Sequence, residues 1–211
     1  MTASSIILLR QGVTEWNDGG RFQGHADIPL NEAGREQATA ARELLRDAGI
    51  TRAVSSDLSR AAETARLVTA QLSTAPGGIA VQTDARLREV DVGSWAGMSM
   101  DTIGKEEPDF WPALREGRDF RRSPTGESAT QAGQRVALAV LDHAEAAADG
   151  EVLLVVGHGL SLRVGALLLM GLDYSHARLF GGLVNCHWMV LRPGEDHYRL
   201  FSYNVGALPG A

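Results

Sequence analysis

The chain has 211 residues and a formal net charge of −6, which excludes the strongly basic surface that nucleic-acid-binding proteins present. Hydrophobic residues make up 44% and charged residues 22%, a balance that allows a core of useful size, and the length favours one α/β domain over residues 1–211 rather than two small ones. A single cysteine, Cys186, excludes an internal disulfide, and we expect it to be a small buried apolar residue.

The start of the chain does not resemble an export signal. Only four apolar residues, at 6–9, precede Arg10, whereas the core of a signal peptide has roughly 7–15. No apolar run approaches the roughly 20 residues that span a membrane. We therefore expect a soluble, cytoplasmic protein that has neither a membrane nor nucleic acid as its partner.

The first half of the chain predicts strands that alternate with helices. Asn31 is the predicted N-cap of a helix that ends at Gly49, and Ser59 is the predicted N-cap of a second helix that runs to Leu72. A polar, glycine-rich stretch follows the first strand, which is a wholly apolar run typical of a buried parallel strand. The strands are predicted at residues 6–9, 52–55 and 79–83.

The second half contains the least regular stretch, residues 94–128, which has three prolines and scattered charge. We expect an irregular, lid-like insertion there, in which Trp95 and Trp111 are packing residues. A turn at Pro193-Gly194 separates the last two strands. The other predicted elements are helices at 129–148 and 160–170 and strands at 151–156, 186–192 and 197–203.

This order of elements predicts an α/β fold. Strands that alternate with helices favour right-handed crossovers and a three-layer α/β/α sandwich with a mostly parallel central sheet. Ligands bind such sheets beyond the C-terminal ends of the strands. Arg10-Gln11-Gly12 follows the first strand and Gly157-His158-Gly159 follows the strand at 151–156. We therefore expect these two polar clusters to meet at one crevice.

Several common catalytic sites have no match in the sequence. The Gly-x-x-x-x-Gly-Lys-Ser/Thr pattern of a phosphate-binding loop does not occur. None of the six histidines has the spacing of a zinc site, so we predict no metal, and no motif calls for a cofactor. Residues 159–163 follow a strand as a nucleophile elbow would, but Arg163 stands where the tight turn needs glycine. A serine hydrolase is kept as a rival hypothesis.

Spaced motifs in the chain resemble those of the histidine phosphatase superfamily, which includes the phosphoglycerate mutases. Residues 8–17, Leu-Leu-Arg-Gln-Gly-Val-Thr-Glu-Trp-Asn, resemble its Arg-His-Gly signature. Residues 55–65 are similar to its second arginine motif, and residues 87–97 are similar to its general-acid motif. The remaining matches follow the family's order at 21–30, 34–38, 126–128 and 157–159, so that the resemblance covers residues 6 to about 160.

The resemblance implies a pocket for one phosphoryl group. Such a group spreads its charge over three oxygens, which arginine meets with a rigid fork of N–H donors. In the family, a histidine at position 11 is the nucleophile, and the carboxyl group at Glu89 protonates the leaving oxygen. The residues assigned to catalysis are Arg10, Gln11, Arg60, Glu89 and His158. The residues assigned to substrate binding are Gly12, Asn17, Gln23, Gly24 and Gly159, with Gly12 and Gly159 acting through their backbone N–H groups.

Position 11 departs from the family pattern, because this chain has glutamine there. The amide nitrogen of glutamine shares its lone pair with the carbonyl group, so Gln11 can hydrogen-bond a phosphate but cannot form a phosphohistidine. We predict that ligand binding survives and that the rate falls by several orders of magnitude. Three explanations stay open: a variant made inactive to trap a ligand, a natural pseudo-enzyme, and a chain in which His25 takes over as nucleophile.

The spacing of the motifs favours a phosphatase over a mutase. Glu89 and His158 are 69 positions apart, and mutases of this superfamily usually carry a longer insertion there. Four arginines cluster in this segment, and they either form a solvated face or bind a second anionic group of the substrate. They are Arg115, Arg118, Arg121 and Arg122. Phosphatases of glucosyl-phosphoglycerate-type substrates are similar, although no motif fixes the substrate.

The sequence therefore leaves two classes of function. The first is a phosphomonoesterase that is active when residue 11 is histidine, and the second is a catalytically silent protein that binds phospho-ligands. A phosphoglycerate mutase is kept as a further alternative. The expected partner is a small phosphorylated metabolite or inorganic phosphate, and a homodimer is left open.

Overall fold

In the computed structural model, which describes residues 3–72 and 78–207, a six-stranded sheet lies between two groups of helices. The spatial order of its strands is β3-β2-β4-β1-β5-β6, in which the first four are parallel and the last two are antiparallel to their neighbours. The predicted mostly parallel sheet is confirmed. The strands are Ser5–Arg10 (β1), Ile50–Ser55 (β2), Val81–Thr83 (β3), Val152–Gly157 (β4), Trp188–Arg192 (β5) and Arg199–Val205 (β6).

The helices cover both faces of this sheet. The described α-helices are Glu15–Asp18 (α1), Glu32–Leu45 (α2), Ser59–Thr69 (α3), Met100–Glu106 (α4), Phe110–Glu116 (α5), Ala129–Glu145 (α6) and Gly159–Leu169 (α7). Helices α6 and α7 pack on the side of β1 that carries Ile6 and Leu8, and α2 and α3 pack on the side that carries Ile7 and Leu9. Because both faces are covered, β1 is apolar throughout instead of alternating. No helix among the described residues is long and apolar enough to cross a membrane.

The beginnings and ends of α2 and α3 differ partly from the sequence prediction. Asn31 caps α2 as predicted, since its side chain accepts the N–H of Gly34 at 2.9 Å. The helix ends at Leu45, before Gly49, whose φ of +69° lies in the left-handed region. The predicted cap at Ser59 is wrong, because Ser59 is the first helical residue and its N–H donates to Asp27 Oδ1 at 2.7 Å. Helix α3 also stops at Thr69 instead of Leu72.

The segment 94–128 contains the short helices α4 and α5 and packs around an aromatic cluster. Trp95 is buried, and its ring lies 5.9 Å from that of Phe110 and 6.4 Å from that of Phe120 in edge-on or tilted contacts. The predicted packing role of Trp95 is therefore confirmed. Trp111 is 37% exposed and contacts the cluster at one edge, 5.0 Å from the ring of Phe110. The segment ends at Ser128, which caps α6.

The loop after β1 is pressed against the start of α2 through a contact between two glycines. A Cβ atom on Gly12 would lie 2.5 Å from the carbonyl oxygen of Gly34, and one on Gly34 would lie 2.2 Å from the carbonyl oxygen of Val13. Real Cβ atoms essentially never approach backbone that closely, so both positions need glycine. This contact fixes the distance between the start of α2 and the loop that carries residue 11.

Gly34→Ala is therefore expected to lower the free energy of unfolding by about 1–3 kcal/mol, the usual range for overpacking a tight site. Urea unfolding followed by circular dichroism measures this change. Gly181→Ala is the matched control, since a Cβ there would have no atom within 4 Å. The expectation fails if the two variants unfold at the same urea concentration.

Candidate active site

A cavity of about 160 Å³ opens beyond the C-terminal ends of β1 and β4. This volume has room for several water molecules and is large enough for a phosphoryl group. Arg10 is the last residue of β1, and His158 directly follows β4, so the two polar clusters meet there as predicted. The predicted site residues that line it are Arg10, Gln11, Asn17, Gln23, Gly24, Arg60, Glu89 and His158.

Arg10 and Arg60 bring two positive charges to this cavity, where Glu89 is within electrostatic reach of both but forms no ion pair with either. Arg10 Nη1 donates to the carbonyl of Leu183 at 2.6 Å, and the two terminal nitrogens of Arg60 donate to the carbonyls of Ala26 and Gly24 at 2.7 and 2.8 Å. The Nε–H of both arginines has no partner, and neither forms an ion pair with any described residue. Burial lowers the pKa of Arg10 and lowers that of Arg60 to about 10. Both side chains are therefore held ready for an anion.

His158 and Gln11 add unpaired polar atoms to the same cavity. His158 is 1% exposed, and neither of its ring nitrogens has a hydrogen-bond partner. Its pKa lies well below the ordinary value because the ring is buried and because Arg60 and Arg10 repel a further positive charge. The ring is thus neutral and offers one donor and one acceptor. Gln11 Oε1 is likewise buried and without a partner, and unpaired buried groups of this kind point to a ligand.

The depressed pKa of His158 predicts a pH dependence of stability. As the pH falls below about 6.5, the unfolded chain takes up a proton that the folded protein does not, so unfolding becomes easier. Between pH 6.5 and 5.5 this effect is worth about 1 kcal/mol. Urea unfolding at the two pH values is expected to show that His158→Asn loses about 1 kcal/mol less than the parent chain. An equal loss in both proteins would mean that His158 titrates normally.

Asn17 and Gln23 are oriented by Thr14, so that their amide groups face the cavity. The side-chain oxygen of Asn17 accepts the backbone N–H and the hydroxyl of Thr14 at 3.1 Å each, in a capping box at the start of α1. The oxygen of Gln23 lies 3.0 Å from the same hydroxyl. With their oxygens engaged, both side chains keep N–H groups as donors for an anion.

Glu89 lies at the N-terminus of α7 beside the cavity. Its carboxylate accepts the N–H groups of Ser161 at 2.9 Å and Leu160 at 3.2 Å, and that of Val90 at 2.8 Å. The first N–H groups of a helix have no acceptor within the helix, and this end of the helix favours negative charge. Glu89 is therefore held on one side of the cavity, within electrostatic reach of Arg10.

Two predicted backbone donors have other surroundings. The expectation for Gly12 is wrong, because its N–H donates to Thr64 Oγ1 at 3.1 Å and Gly12 does not line the cavity. Gly12 serves the close contact with α2 instead. Gly159 is the first residue of α7 and is not among the cavity-lining residues, and a Cβ there would lie 3.2 Å from Arg10 Nε, a tight contact with that side chain. His25 also lies outside the cavity lining, and its Nε2 is 2.9 Å from the carbonyl oxygen of Glu89.

Two residues of the site, Arg21 and Asn185, were not assigned roles from the sequence, and Arg122 belongs to the arginine cluster whose role was left open. Arg122 and Arg21 line the cavity, whereas Arg118 of the same predicted cluster forms exposed ion pairs with Asp109 and Glu116. Asn185 donates to the carbonyl oxygen of Gln11 at 3.0 Å. The density of arginines around residue 122 was a usable signal, but no local pattern marks Asn185, because it lies 174 positions from Gln11.

Comparisons with known proteins agree with this geometry. Residues 6–206 match the family model described as "Histidine phosphatase superfamily (branch 1)". A probable phosphoglycerate mutase GpmB of Yersinia pestis is 35% identical over 181 residues, which cover 86% of this chain and 81% of that protein. A mycobacterial glucosyl-3-phosphoglycerate phosphatase solved with VO3 has a TM-score of 0.84 and 30% identity, covering 96% of this chain and 100% of its own. A phosphoserine phosphatase from Entamoeba histolytica, solved with 3-phosphoglyceric acid, has a TM-score of 0.82 and 25% identity, covering 97% and 98%.

Proposed function

The chain belongs to the histidine phosphatase superfamily, and from that premise we propose that its cavity is the site of a phosphomonoesterase for a small phosphorylated metabolite. With Gln11 at the position of the nucleophile, the chain as written binds phosphate esters, and its turnover is abolished or severely impaired. The similar solved structures include phosphatases of glucosyl-3-phosphoglycerate and of phosphoserine, which supports hydrolysis over the mutase alternative.

The observation that carries this proposal is the set of buried polar atoms without partners around one cavity. They belong to the side chains of Arg10, Gln11, Arg60 and His158. Leaving such groups unpaired costs free energy, and two guanidinium groups that share one nearby carboxylate without an ion pair add to that cost. A phosphoryl dianion would satisfy both the charge and the donors, since it offers three oxygens to converging N–H groups. Phosphoryl transfer depends mainly on such positioning and charge stabilisation.

The residues suit a two-step transfer once histidine stands at position 11. An imidazole nitrogen attacks phosphorus, the ester P–O bond breaks, and Glu89 gives its proton to the leaving oxygen. Water then attacks the phosphohistidine, the P–N bond breaks, and Glu89 takes a proton from the water as inorganic phosphate forms. Gln11 blocks the first step because an amide nitrogen has no available lone pair.

The position of Arg122 supports the proposal that the substrate carries a second anionic group. It is 3% exposed, its guanidinium lies 3.9 Å from the centre of the Phe120 ring, and it lines the cavity that also contains Arg10 and Arg60. Its contact with Asp119 is a loose 3.8 Å, so part of its charge remains available to a ligand. Because Arg122 belongs to the segment 94–128, we propose that this segment acts as a lid that contributes to specificity.

A natural phospho-ligand binder is the second candidate. It is favoured by the same unpaired oxygen, Gln11 Oε1, which can accept a hydrogen bond from a protonated phosphate or a hydroxyl group of the ligand. In that case Gln11 serves recognition and not chemistry.

Titration calorimetry with inorganic phosphate and a panel of phosphorylated metabolites tests the binding part of the proposal on the chain as written. Phosphate release from the same panel by the Gln11→His variant tests the hydrolase part. Binding without release by either form would favour the natural binder. An absence of both binding and release across the panel would overturn the proposed function.

A further inference from the structure

The short stretch that carries Glu89 has no regular structure of its own. It follows the 3-10 helix Ala85–Leu87, and residues 88–92 are neither helix nor strand. A catalytic carboxyl group needs a fixed position, so contacts from elsewhere must hold this stretch in place. The described structure provides them from α6 and from the residue next to its cap.

Arg135 on α6 uses all of its side-chain N–H groups to hold this stretch and its neighbour Glu127. Its Nη1 donates to the carbonyl of Arg86 at 2.7 Å and to that of Arg88 at 2.6 Å, and its Nη2 donates to the carbonyl of Glu89 at 2.7 Å. The two remaining N–H groups donate to the carboxylate of Glu127. A guanidinium has five N–H donors, and all five are engaged.

Glu127 holds the other end of the same stretch. Its carboxylate accepts the backbone N–H of Asp91 at 2.8 Å, and its own backbone N–H donates to the carbonyl of Asp91 at 2.9 Å. Arg135 and Glu127 are also ion-paired, with side chains about one fifth exposed. The pair therefore holds the backbone on both sides of Glu89, and its two opposite charges are in direct contact, whereas Arg10 and Arg60 form no ion pair with any residue that the structure describes.

From this arrangement we infer that Arg135, together with Glu127, is a positioning residue that sets the place of the Glu89 carboxyl group relative to the phosphate cavity. The carboxylate reaches Leu160 and Ser161 only while the backbone of residue 89 stays where Arg135 holds it. A lysine at 135 would keep the charge opposite Glu127, but it has three donors on one nitrogen and cannot span the three carbonyls. The kinetic part of this inference rests on the proposed hydrolase function.

The kinetic test uses a difference between leaving groups. In the Gln11→His background, Arg135→Lys is expected to lower kcat/KM, which reports only the step that expels the leaving group, about 10²-fold for an alkyl phosphate, whose leaving oxygen needs a proton. For p-nitrophenyl phosphate, whose leaving group departs without one, the change is expected to stay within about threefold. Glu89→Gln should give the same pattern. Arg35→Lys, which alters an ion pair between Arg35 on α2 and Glu63 on α3, should change neither value. A merely structural loss would lower both rates equally and would overturn the inference.

A second measurement uses the chain as written and needs no turnover. The amide chemical shifts of Leu160 and Ser161 report their hydrogen bonds to Glu89. Arg135→Lys is expected to move both signals in the direction that Glu89→Gln moves them, while Arg35→Lys leaves them in place. Unchanged signals in Arg135→Lys would overturn the inference. If Gln11→His releases no phosphate from either ester, the proposed function fails, and the amide signals still decide whether Arg135 positions Glu89.

Discussion

Replacing Gln11 by histidine is expected to raise the rate of phosphate release by at least about 10³-fold, and by as much as about 10⁶-fold, the range seen when a nucleophile is lost elsewhere. The backbone at this position is well held, since the N–H of Gln11 donates to the carbonyl of Gly157 at 2.9 Å and Asn185 donates to its carbonyl. An imidazole at position 11 would therefore lie in a cavity whose other phosphate-binding side chains, Arg10, Arg60 and His158, are already in place. Release of p-nitrophenol and of inorganic phosphate measures the gain.

Two controls separate this gain from other causes. Gln11→Asn keeps an amide and should gain no activity. Intact mass spectrometry under alkaline conditions should detect a phosphorylated protein in the Gln11→His form and none in the parent. Equal turnover by parent and Gln11→His would show that residue 11 is not the nucleophile, and loss of that turnover in His25→Ala would then identify His25. His25 is not among the cavity-lining residues and its Nε2 lies 2.9 Å from the carbonyl oxygen of Glu89, which argues against that role.

Arg60→Met is expected to weaken the binding of inorganic phosphate by about 10²-fold or more, because it removes a charge-assisted donor from a buried site. The stability of the ligand-free protein should change little. Burial lowers the pKa of Arg60 to about 10, a cost of about 3 kcal/mol to the folded state at neutral pH that methionine would relieve. Against this, the carbonyls of Gly24 and Ala26 lose their donors, at about 1–3 kcal/mol each.

Calorimetric titration measures the affinity for phosphate, and urea unfolding with and without phosphate measures the free energy of unfolding. In the parent, phosphate should raise the free energy of unfolding as expected for a ligand that binds only the folded state, and in Arg60→Met it should raise it far less. Arg66→Met is the matched control, since Arg66 is exposed on the same helix. If phosphate binds Arg60→Met as tightly as it binds the parent, Arg60 is not part of an anion site.

The parts of the fold that the sequence predicts are those that local patterns encode. Residues 6–9 are apolar throughout because helices cover both faces of β1, and this burial is visible in the sequence as an unbroken run. Arg10 and His158 meet because the C-terminal ends of parallel strands share one edge of a sheet, which follows from topology alone. Their grouping could therefore be predicted without knowing the distance between them.

The parts that could not be predicted depend on partners far away in the chain. Asp27 satisfies the N–H of Ser59 across 32 positions, and this contact displaced the predicted helix cap. Arg135 reaches the carbonyl of Glu89 across 46 positions, and nothing in its own neighbourhood marks it as different from a solvated helix residue. The N–H of Gly12 donates to Thr64 on α3, 52 positions away. A local motif does not encode how closely α3 approaches this loop.

The place of β1 in the sheet has a consequence for how the molecule is made. The first strand of the chain lies between β4 and β5, and Ile6 pairs with Leu153 and Leu191. At about 5–20 residues per second on a ribosome, β1 waits about 7–30 s for β4, its first neighbour to be made. The carbonyl of Leu183 that holds Arg10 emerges later still. Recognition of phosphate therefore begins only after residue 183 has been made, and the nascent segment before it must be kept from aggregating without any help from the ligand.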